Sequence, residues 1–236
     1  MTRSILTTSN LRILAVTLIL AAGLCMIATG CGAKKAAAIK ASVSFVNGTV
    51  EAQTGGDPAW KKVAANAELT MADSIRTLEK SMAKINFTDG TKVFLEESTT
   101  LNLKTLSRPD EKSTLDIVLE IVSGAIFFDV TKRENSKFQM ETSVAVAGVK
   151  GTKGVFRNHG SLRIVLVEGR IEAYHKNHPD KKVILEESEL IEIMGDKAPG
   201  DKQKIDLAKE KFAGVPLMKN ITPEDFTTRI DIINTK

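Results

Sequence analysis

The stretch Leu115-Asp116-Ile117-Val118-Leu119-Glu120-Ile121-Val122-Ser123-Gly124-Ala125-Ile126-Phe127-Phe128-Asp129-Val130 decides the fold class. Leu115, Ile117, Leu119 and Ile121 alternate with Asp116, Val118, Glu120 and Val122. A period of two places these sets on opposite faces of a strand. Beyond Gly124 the apolar set moves from odd to even positions, at Ile126, Phe128 and Val130. Such a parity change carries the apolar side chains to the other face unless the backbone bulges or turns a corner there. Glycine reaches the left-handed conformations that a corner uses. The same change occurs at Gly48, from Val43 and Phe45 to Val50 and Ala52, and at Gly169, from Leu162, Ile164 and Leu166 to Ile171 and Ala173. Three parity changes, each at a glycine, predict strands that bend from one sheet into another.

Period-two patterning runs through most of residues 43–194, with residues 73–84 ambiguous. Ala83, Ile85 and Phe87 lead into Asp89-Gly90, after which Val93 and Leu95 resume the alternation, the pattern of strand, tight turn and strand. Lys92-Val93-Phe94-Leu95-Glu96-Glu97-Ser98 returns ninety positions later as Lys182-Val183-Ile184-Leu185-Glu186-Glu187-Ser188. Two copies fit either rungs of a solenoid or two similar strand–turn–strand units. After Gly195 the pattern changes. Asp201 is placed to cap a helix with Ile205, Ala208 and Phe212 on one face, ended by Gly214 and Pro216, and Thr222-Pro223-Glu224-Asp225 is a second helix start. The expectation is an all-β protein, an elongated β-solenoid or a two-sheet β-sandwich, with one or two short C-terminal helices packed through Phe212, Phe226 and Ile230.

The first thirty residues read as an address. Arg3 and Arg12 precede an apolar run from Ile13 to Ala28 that ends in the small residues Thr29 and Gly30. This is the order of a secretory signal, although an uncleaved anchor has nearly the same length. Ala28-Thr29-Gly30-Cys31 resembles a bacterial lipobox, with Ala28 where Leu, Val or Ile is usual. The resemblance implies that Cys31 is acylated and becomes the mature N-terminus. Two or more acyl chains anchor stably, at about 0.8 kcal/mol for each buried CH₂. The expected organisation is residues 1–30 as lipoprotein signal peptide, 31–42 as acylated cysteine and tether, 43–196 as β domain and 197–236 as helical tail. Gly32, in place of the Asp that retains lipoproteins at the inner membrane in many bacteria, favours the outer membrane.

The 236 residues carry 33 Lys+Arg and 29 Asp+Glu, a net charge of +4. Losing Arg3 and Arg12 with the signal lowers this to +2. Basic residues scattered among acids, with 1 Trp, 1 Tyr and 9 Phe, argue against nucleic-acid binding. Two cysteines, one of them Cys25 in the signal, exclude a disulfide scaffold. His175 and His178 form an HxxH with His159 far away in sequence, short of the four ligands of a structural metal site, and read as solvated loop residues. Gly148, Gly151 and Gly154 lack the Lys of a phosphate loop. Asp129, Glu134, Glu141 and Glu168 follow no catalytic spacing and read as solvated strand faces. No catalytic residue, metal or cofactor is expected.

An ordered series of marks resembles the FecR domain, an extracytoplasmic module of iron-transport signalling regulators and other bacterial envelope proteins. It includes Val46-Asn47-Gly48-Thr49-Val50, Trp60, Leu69, Asp73-Ser74-Ile75-Arg76-Thr77 and Ile85-Asn86-Phe87-Thr88-Asp89-Gly90-Thr91. Leu101-Asn102-Leu103, Gly124-Ala125-Ile126-Phe127, the segment from Phe138 to Thr142, Ala147-Gly148-Val149-Lys150-Gly151-Thr152 and Val167-Glu168-Gly169-Arg170-Ile171 complete it. Lys150 stands where the family commonly has Arg. The resemblance implies a FecR-like β module acting through contacts with another envelope protein, with no catalytic residues to carry over. With only a dozen residues ahead of the apolar run, the chain is expected to lack the family's cytoplasmic anti-sigma segment and to act from the far side of the membrane. Arg76-Thr77 and Gly151-Thr152, the strongest marks, are expected to serve the structure. A surface-exposed adhesin for host matrix or glycan is the alternative function.

Overall fold

The computed structural model describes residues 39–107, 115–134 and 136–234, and Cys31 with the rest of the N-terminal segment lies outside them. Ala36–Lys236 form one compact unit. Its first strands are β1 (Ala41–Asn47), β2 (Val50–Gln53), β3 (Lys61–Lys62), β4 (Glu68–Leu69), β5 (Ser74–Thr77), β6 (Met82–Phe87), β7 (Lys92–Leu95), β8 (Thr100–Ser107) and the long β9 (Leu115–Asp129). There follow β10 (Ser136–Glu141), β11 (Ala145–Val149), β12 (Lys153–Asn158), β13 (Ser161–Glu168), β14 (Ile171–His175), β15 (His178–Leu185), β16 (Glu189–Met194) and β17 (Gln203–Lys204).

These strands make two facing sheets. The first runs β4-β1-β6-β7-β9-β12-β13-β16-β17. The second runs β3-β2-β5-β8-β9-β10-β11-β14-β15. Strand β9 belongs to both, with residues 115–123 paired in the second sheet and 124–129 in the first. Every described pairing is antiparallel except β9 with β10, so the protein is a two-sheet sandwich rather than a solenoid of parallel rungs.

The predicted corners are present. Gly48, Gly124 and Gly169 have φ of 76°, 94° and 95°, and the chain changes sheet at each. Steric closure adds to the conformational demand. A side chain at Gly124 would run into the Thr99 hydroxyl, and one at Gly169 would sit 2.7 Å from the Gly151 carbonyl oxygen. The ninety-residue repeat is a strand–corner–strand unit used in opposite senses. β7 passes through Ser98 (φ 54°) from the first sheet to β8 in the second, whereas β15 passes through Ser188 (φ 62°) from the second sheet to β16 in the first. The ambiguous residues 73–84 form β5 and the start of β6.

One core fills the space between the sheets, with Ile85, Phe128, Phe156 and Ile191 from the first facing Leu101, Leu119, Phe138 and Ile171 from the second. A second core lies on the outer face of the first sheet, where Phe94, Phe127, Val155, Val165 and Leu190 are covered by the C-terminal segment. That segment contains a 3-10 turn at Leu207–Lys209, then β18 (Lys211–Phe212), β19 (Val215–Pro216) and α1 (Pro223–Asn234). Phe226 packs its ring 4.9 Å from Phe127, 5.0 Å from Phe212 and 5.4 Å from Phe94. Burying each such ring contributes on the order of 2–3 kcal/mol. The Ile230 side chain lies outside the described side chains.

The helix expected after Asp201 is replaced by extended chain. Gln203 and Lys204 pair with Leu190 and Glu189, and the Ile205 amide donates to the Ser188 carbonyl at 3.0 Å. Covering the open edge of β16 satisfies backbone groups that a helix would leave bare, and Ile205 and Leu207, not Ala208, meet the outer core. The second expected helix start is correct. Asp225 accepts from the Thr222 amide at 2.7 Å and from its hydroxyl at 2.9 Å, which ties the first turn of the helix back to Thr222 as one half of a capping box does. Charged contacts pin the tail to the first sheet: Arg163 donates to Glu210 at 2.9 and 2.7 Å, and Glu96 accepts from the Ala213 amide at 2.8 Å.

Substituting Gly124→Ala is expected to lower the unfolding free energy by about 2–4 kcal/mol, since backbone strain and collision combine. Gly195→Ala, at φ 54° with open space around it, should lose only the backbone part, about 1 kcal/mol. Urea unfolding distinguishes the two, and equal losses would show that Thr99 yields without cost. The tail carries a pH dependence of known sign. Arg163 hydrogen bonds hold the Glu210 carboxyl below the usual glutamate range, against an opposing effect of burial. The folded chain therefore takes up that proton less readily than the unfolded chain. The stabilisation is complete above the ordinary pKa of about 4.3 and fades as pH falls through the lowered folded value. The urea-midpoint gap between wild type and Glu210→Gln should shrink between about pH 6 and pH 3.

Candidate functional site

The sequence-predicted candidates do not converge on one chemical centre. Asp129 is half-buried near the end of β9, and burial raises its carboxyl, with Lys153 and Lys92 pulling the other way. Burial also pushes Glu141 upward, but hydrogen bonds and charge from Lys104 and Lys176 outweigh it and hold the group below its usual value. Glu168 pairs with Lys153 at 3.4 Å, and Glu134 is exposed. These carboxylates belong to ion pairs and solvated rims.

The histidines require a correction. His175 is buried, not solvated: its Nδ1 accepts from the Asn177 amide at 3.0 Å, so the proton sits on Nε2, which donates to the Gly195 carbonyl at 2.7 Å. His178 meets the Asp196 carbonyl at 2.9 Å through Nε2, and the two rings are 5.5 Å apart. Both rings thus tie the β14–β15 hairpin to the turn after β16. Among the described residues no three His, Cys, Asp or Glu side chains are grouped to hold a metal.

The strongest sequence marks serve the structure. Arg76 donates to Glu51 at 2.7 and 3.0 Å, and its guanidinium lies 4.2 Å from the Trp60 ring centre. Thr77 and Thr99 are buried, and their hydroxyls fill the gaps a corner leaves in the backbone ladder. Thr99 Oγ1 accepts from the Ala125 amide and donates to the Ala125 carbonyl, both at 3.0 Å, while its own amide donates to Thr77 Oγ1 at 3.0 Å. Thr152 repeats this at the opposite rim, donating to the Arg170 carbonyl at 3.1 Å.

The corners also gather charges that no spacing in the sequence revealed. One rim carries a groove of about 380 Å³ lined by Lys132, Gly148, Lys150, Arg170, Glu172 and Ile184. Gly148 leaves its floor open, since a side chain there would meet only the Glu172 carbonyl, at 3.9 Å. At the opposite rim a groove of about 590 Å³ is lined by Glu79, Lys80, Glu96, Glu97, Ser98 and His159. The only trace of the basic cluster in the sequence is its adjacency to corner glycines, as Lys150-Gly151 and Gly169-Arg170.

Residues 73–172, from the turn before β5 into β14, match the family model described as FecR protein. The chain carries a FecR domain. The matched part spans the Gly124 crossing, both Thr77 and Thr152, and all three cations of the basic groove, whereas Trp60 and the Gly48 corner lie before it. No curated protein matches the chain. Two crystal structures of an inferred anti-sigma factor from Parabacteroides distasonis are similar to it, at 19% and 20% identity with TM-scores of 0.47 and 0.46. Each similarity covers 56% of this chain and 60% of the other.

Within the FecR domain, the corner hydroxyl is a sharper test of these marks than any charge. Thr99→Val keeps the shape but takes the partner from the Ala125 amide, while the Ala125 carbonyl keeps the Glu96 amide at 3.0 Å, and should cost about 1–3 kcal/mol in urea unfolding. Thr99→Ser should restore most of the loss. A neutral Thr99→Val would place the corner's stability elsewhere.

Proposed function

We propose that the chain is a lipid-anchored protein of the bacterial envelope whose FecR domain acts through protein contacts in envelope signalling. The observation that carries this reading is the FecR domain at residues 73–172 in a chain whose N-terminal segment ends in Ala28-Thr29-Gly30-Cys31. Acylation of Cys31 supplies the anchor, and Gly32 directs the protein to the outer membrane. The domain works as a rigid platform rather than a catalyst. Its first sheet is closed on the outside by the C-terminal segment. Among the described residues no second apolar layer covers the outer face of the second sheet, along which lie the ion pairs Arg76–Glu51, Lys104–Glu141 and Lys182–Glu172. A polar, preformed face suits a reversible contact with another envelope protein.

The test uses the full chain expressed in bacteria, with Cys31→Ser beside wild type. Wild type should incorporate labelled palmitate and fractionate with membranes, and Cys31→Ser should do neither. Deleting the gene should alter the envelope-stress transcript profile, and only the wild-type copy should restore it. Palmitate incorporation that persists in Cys31→Ser overturns the anchor, and a transcript profile unchanged by deletion overturns the signalling role.

A further inference from the structure

The grooves at the two rims are opposite in charge, and the chain enters its domain at the basic rim. The Lys40 amide donates to Thr88 Oγ1 at 3.4 Å, and the Thr88 amide donates back to the Lys40 carbonyl at 3.0 Å. From that entry the contacts lead directly to the cations. Arg133 donates to the Asp89 carbonyl at 2.7 Å, and the Thr131 amide donates to Thr91 Oγ1 at 3.3 Å. Lys132, in the same loop, packs its aliphatic stem against Gly151, and the Gly151 carbonyl lies against Gly169. Three successive turns of the backbone are thus stacked at this rim, and they present Lys132, Lys150 and Arg170 in line.

These three cations are exposed and have no acidic side chain within salt-bridge distance among the described residues. Of the nearby acids, Glu168 pairs with Lys153 at 3.4 Å and Glu172 with Lys182 at 2.8 Å, which leaves two exposed ones among the described residues, Glu134 beside Arg133 and Glu186 one step past the Ile171–Leu185 pair from Arg170. The opposite rim holds Glu79, Glu96 and Glu97 around its groove. Eight residue steps separate Ile39, the first described residue, from Cys31, and eight extended residues reach at most about 29 Å. The stacked corners are therefore held close to whatever surface the N-terminus is fixed in.

We infer that Lys132, Lys150 and Arg170 form a docking stripe for the anionic phospholipid surface of the anchoring membrane, orienting the domain with its acidic rim pointing away. This rests on the anchor proposed at Cys31 for its location, while the attraction itself belongs to the folded domain. Each cation near an anionic surface adds to membrane affinity, and salt screens the effect beyond roughly 10 Å at 0.1 M. A lipid anchor alone leaves the domain free to tumble, whereas the stripe fixes which rim and which sheet face meet a partner.

Both cores are built from residues at or after Ile39, so an unacylated chain of residues 32–236 retains every described buried contact. It is to be sedimented with phosphatidylcholine vesicles containing or lacking about one third phosphatidylglycerol. Binding to the anionic vesicles only, weakened by raised salt, is the expected result. The triple variant Lys132→Glu, Lys150→Glu, Arg170→Glu should lose on the order of a hundredfold in affinity. The matched variant Lys80→Glu, Lys197→Glu, Lys209→Glu changes net charge equally and should bind nearly as wild type, with circular dichroism confirming that both remain folded. No preference for anionic vesicles, or equal losses in both variants, overturns the stripe, the first outcome pointing to an acidic protein as its occupant. Because the tested chain carries no lipid, its result is independent of the palmitate experiment, and either reading fails without the other.

Discussion

A backbone that leaves one sheet for another gives up its ladder hydrogen bonds at the crossing, and in a buried corner those groups have no water to turn to. The protein meets this constraint with threonine and serine hydroxyls. Thr99 holds both polar groups of Ala125, Ser81 accepts from the Thr49 amide at 2.8 Å, and Thr77 donates to the Glu96 carbonyl at 2.6 Å. Each hydroxyl belongs to one corner and serves the next, so the rim becomes a column of interlocked turns. Glycine supplies the conformation and the neighbouring hydroxyl the hydrogen bonds. Both are needed, because the space that lets Thr99 reach Ala125 is the space a side chain on Gly124 would take.

Corners explain why the two cores differ. A strand that crosses between sheets, such as β9, turns Leu119 and Ile121 inward in the second sheet and Ile126 and Phe128 inward in the first. The residues between them on the first sheet's outer face, Ala125 and Phe127, are also apolar and require a cover. The C-terminal segment is that cover. Its hold is mixed: Phe212 and Phe226 provide the apolar area, while Glu210, Glu96 and Glu224 fix its register through Arg163, the Ala213 amide and Lys92.

The corners legible in the sequence were those where an alternating strand changes parity at a glycine and only one face is apolar. Gly48, Gly124 and Gly169 meet that condition. The corner at Ser98 was hidden because four residues, 96–99, separate β7 from β8, an even insertion that keeps Val93, Leu95, Leu101 and Leu103 all odd. At Gly151 the parity does change, but β12 is apolar on both faces, with Phe156 inside and Val155 under the tail, so no alternation marked it. The tail misled for a related reason. Lys-rich spacing around Ile205 and Phe212 fits a helix locally, yet the open edge of β16 offers backbone partners that a single sequence window does not contain. His175 looked like a loop residue for want of any sign that Gly195 lies against it. Of the site, Arg76, Thr77 and Thr152 were visible as marks, but the meeting of Lys132, Lys150 and Arg170 arises from stacking and has no local signature.

The same stacking gives the domain its electrical polarity. Antiparallel strands return every turn to one of two rims, so residues in turns are sorted by rim according to how many strands have passed, not by their distance in sequence. Lys132, Lys150 and Arg170 are separated by 18 and 20 positions, yet share a groove because an even number of crossings lies between them. Glu79, Glu96 and Glu97 fall on the other rim by the same rule. A nearly neutral protein can thus carry two oppositely charged grooves, one at each rim, without any charge run in its sequence. The consequence is directional: a field that acts on one rim orients the whole sandwich, because two sheets joined by β9 and closed by one tail turn as a single body.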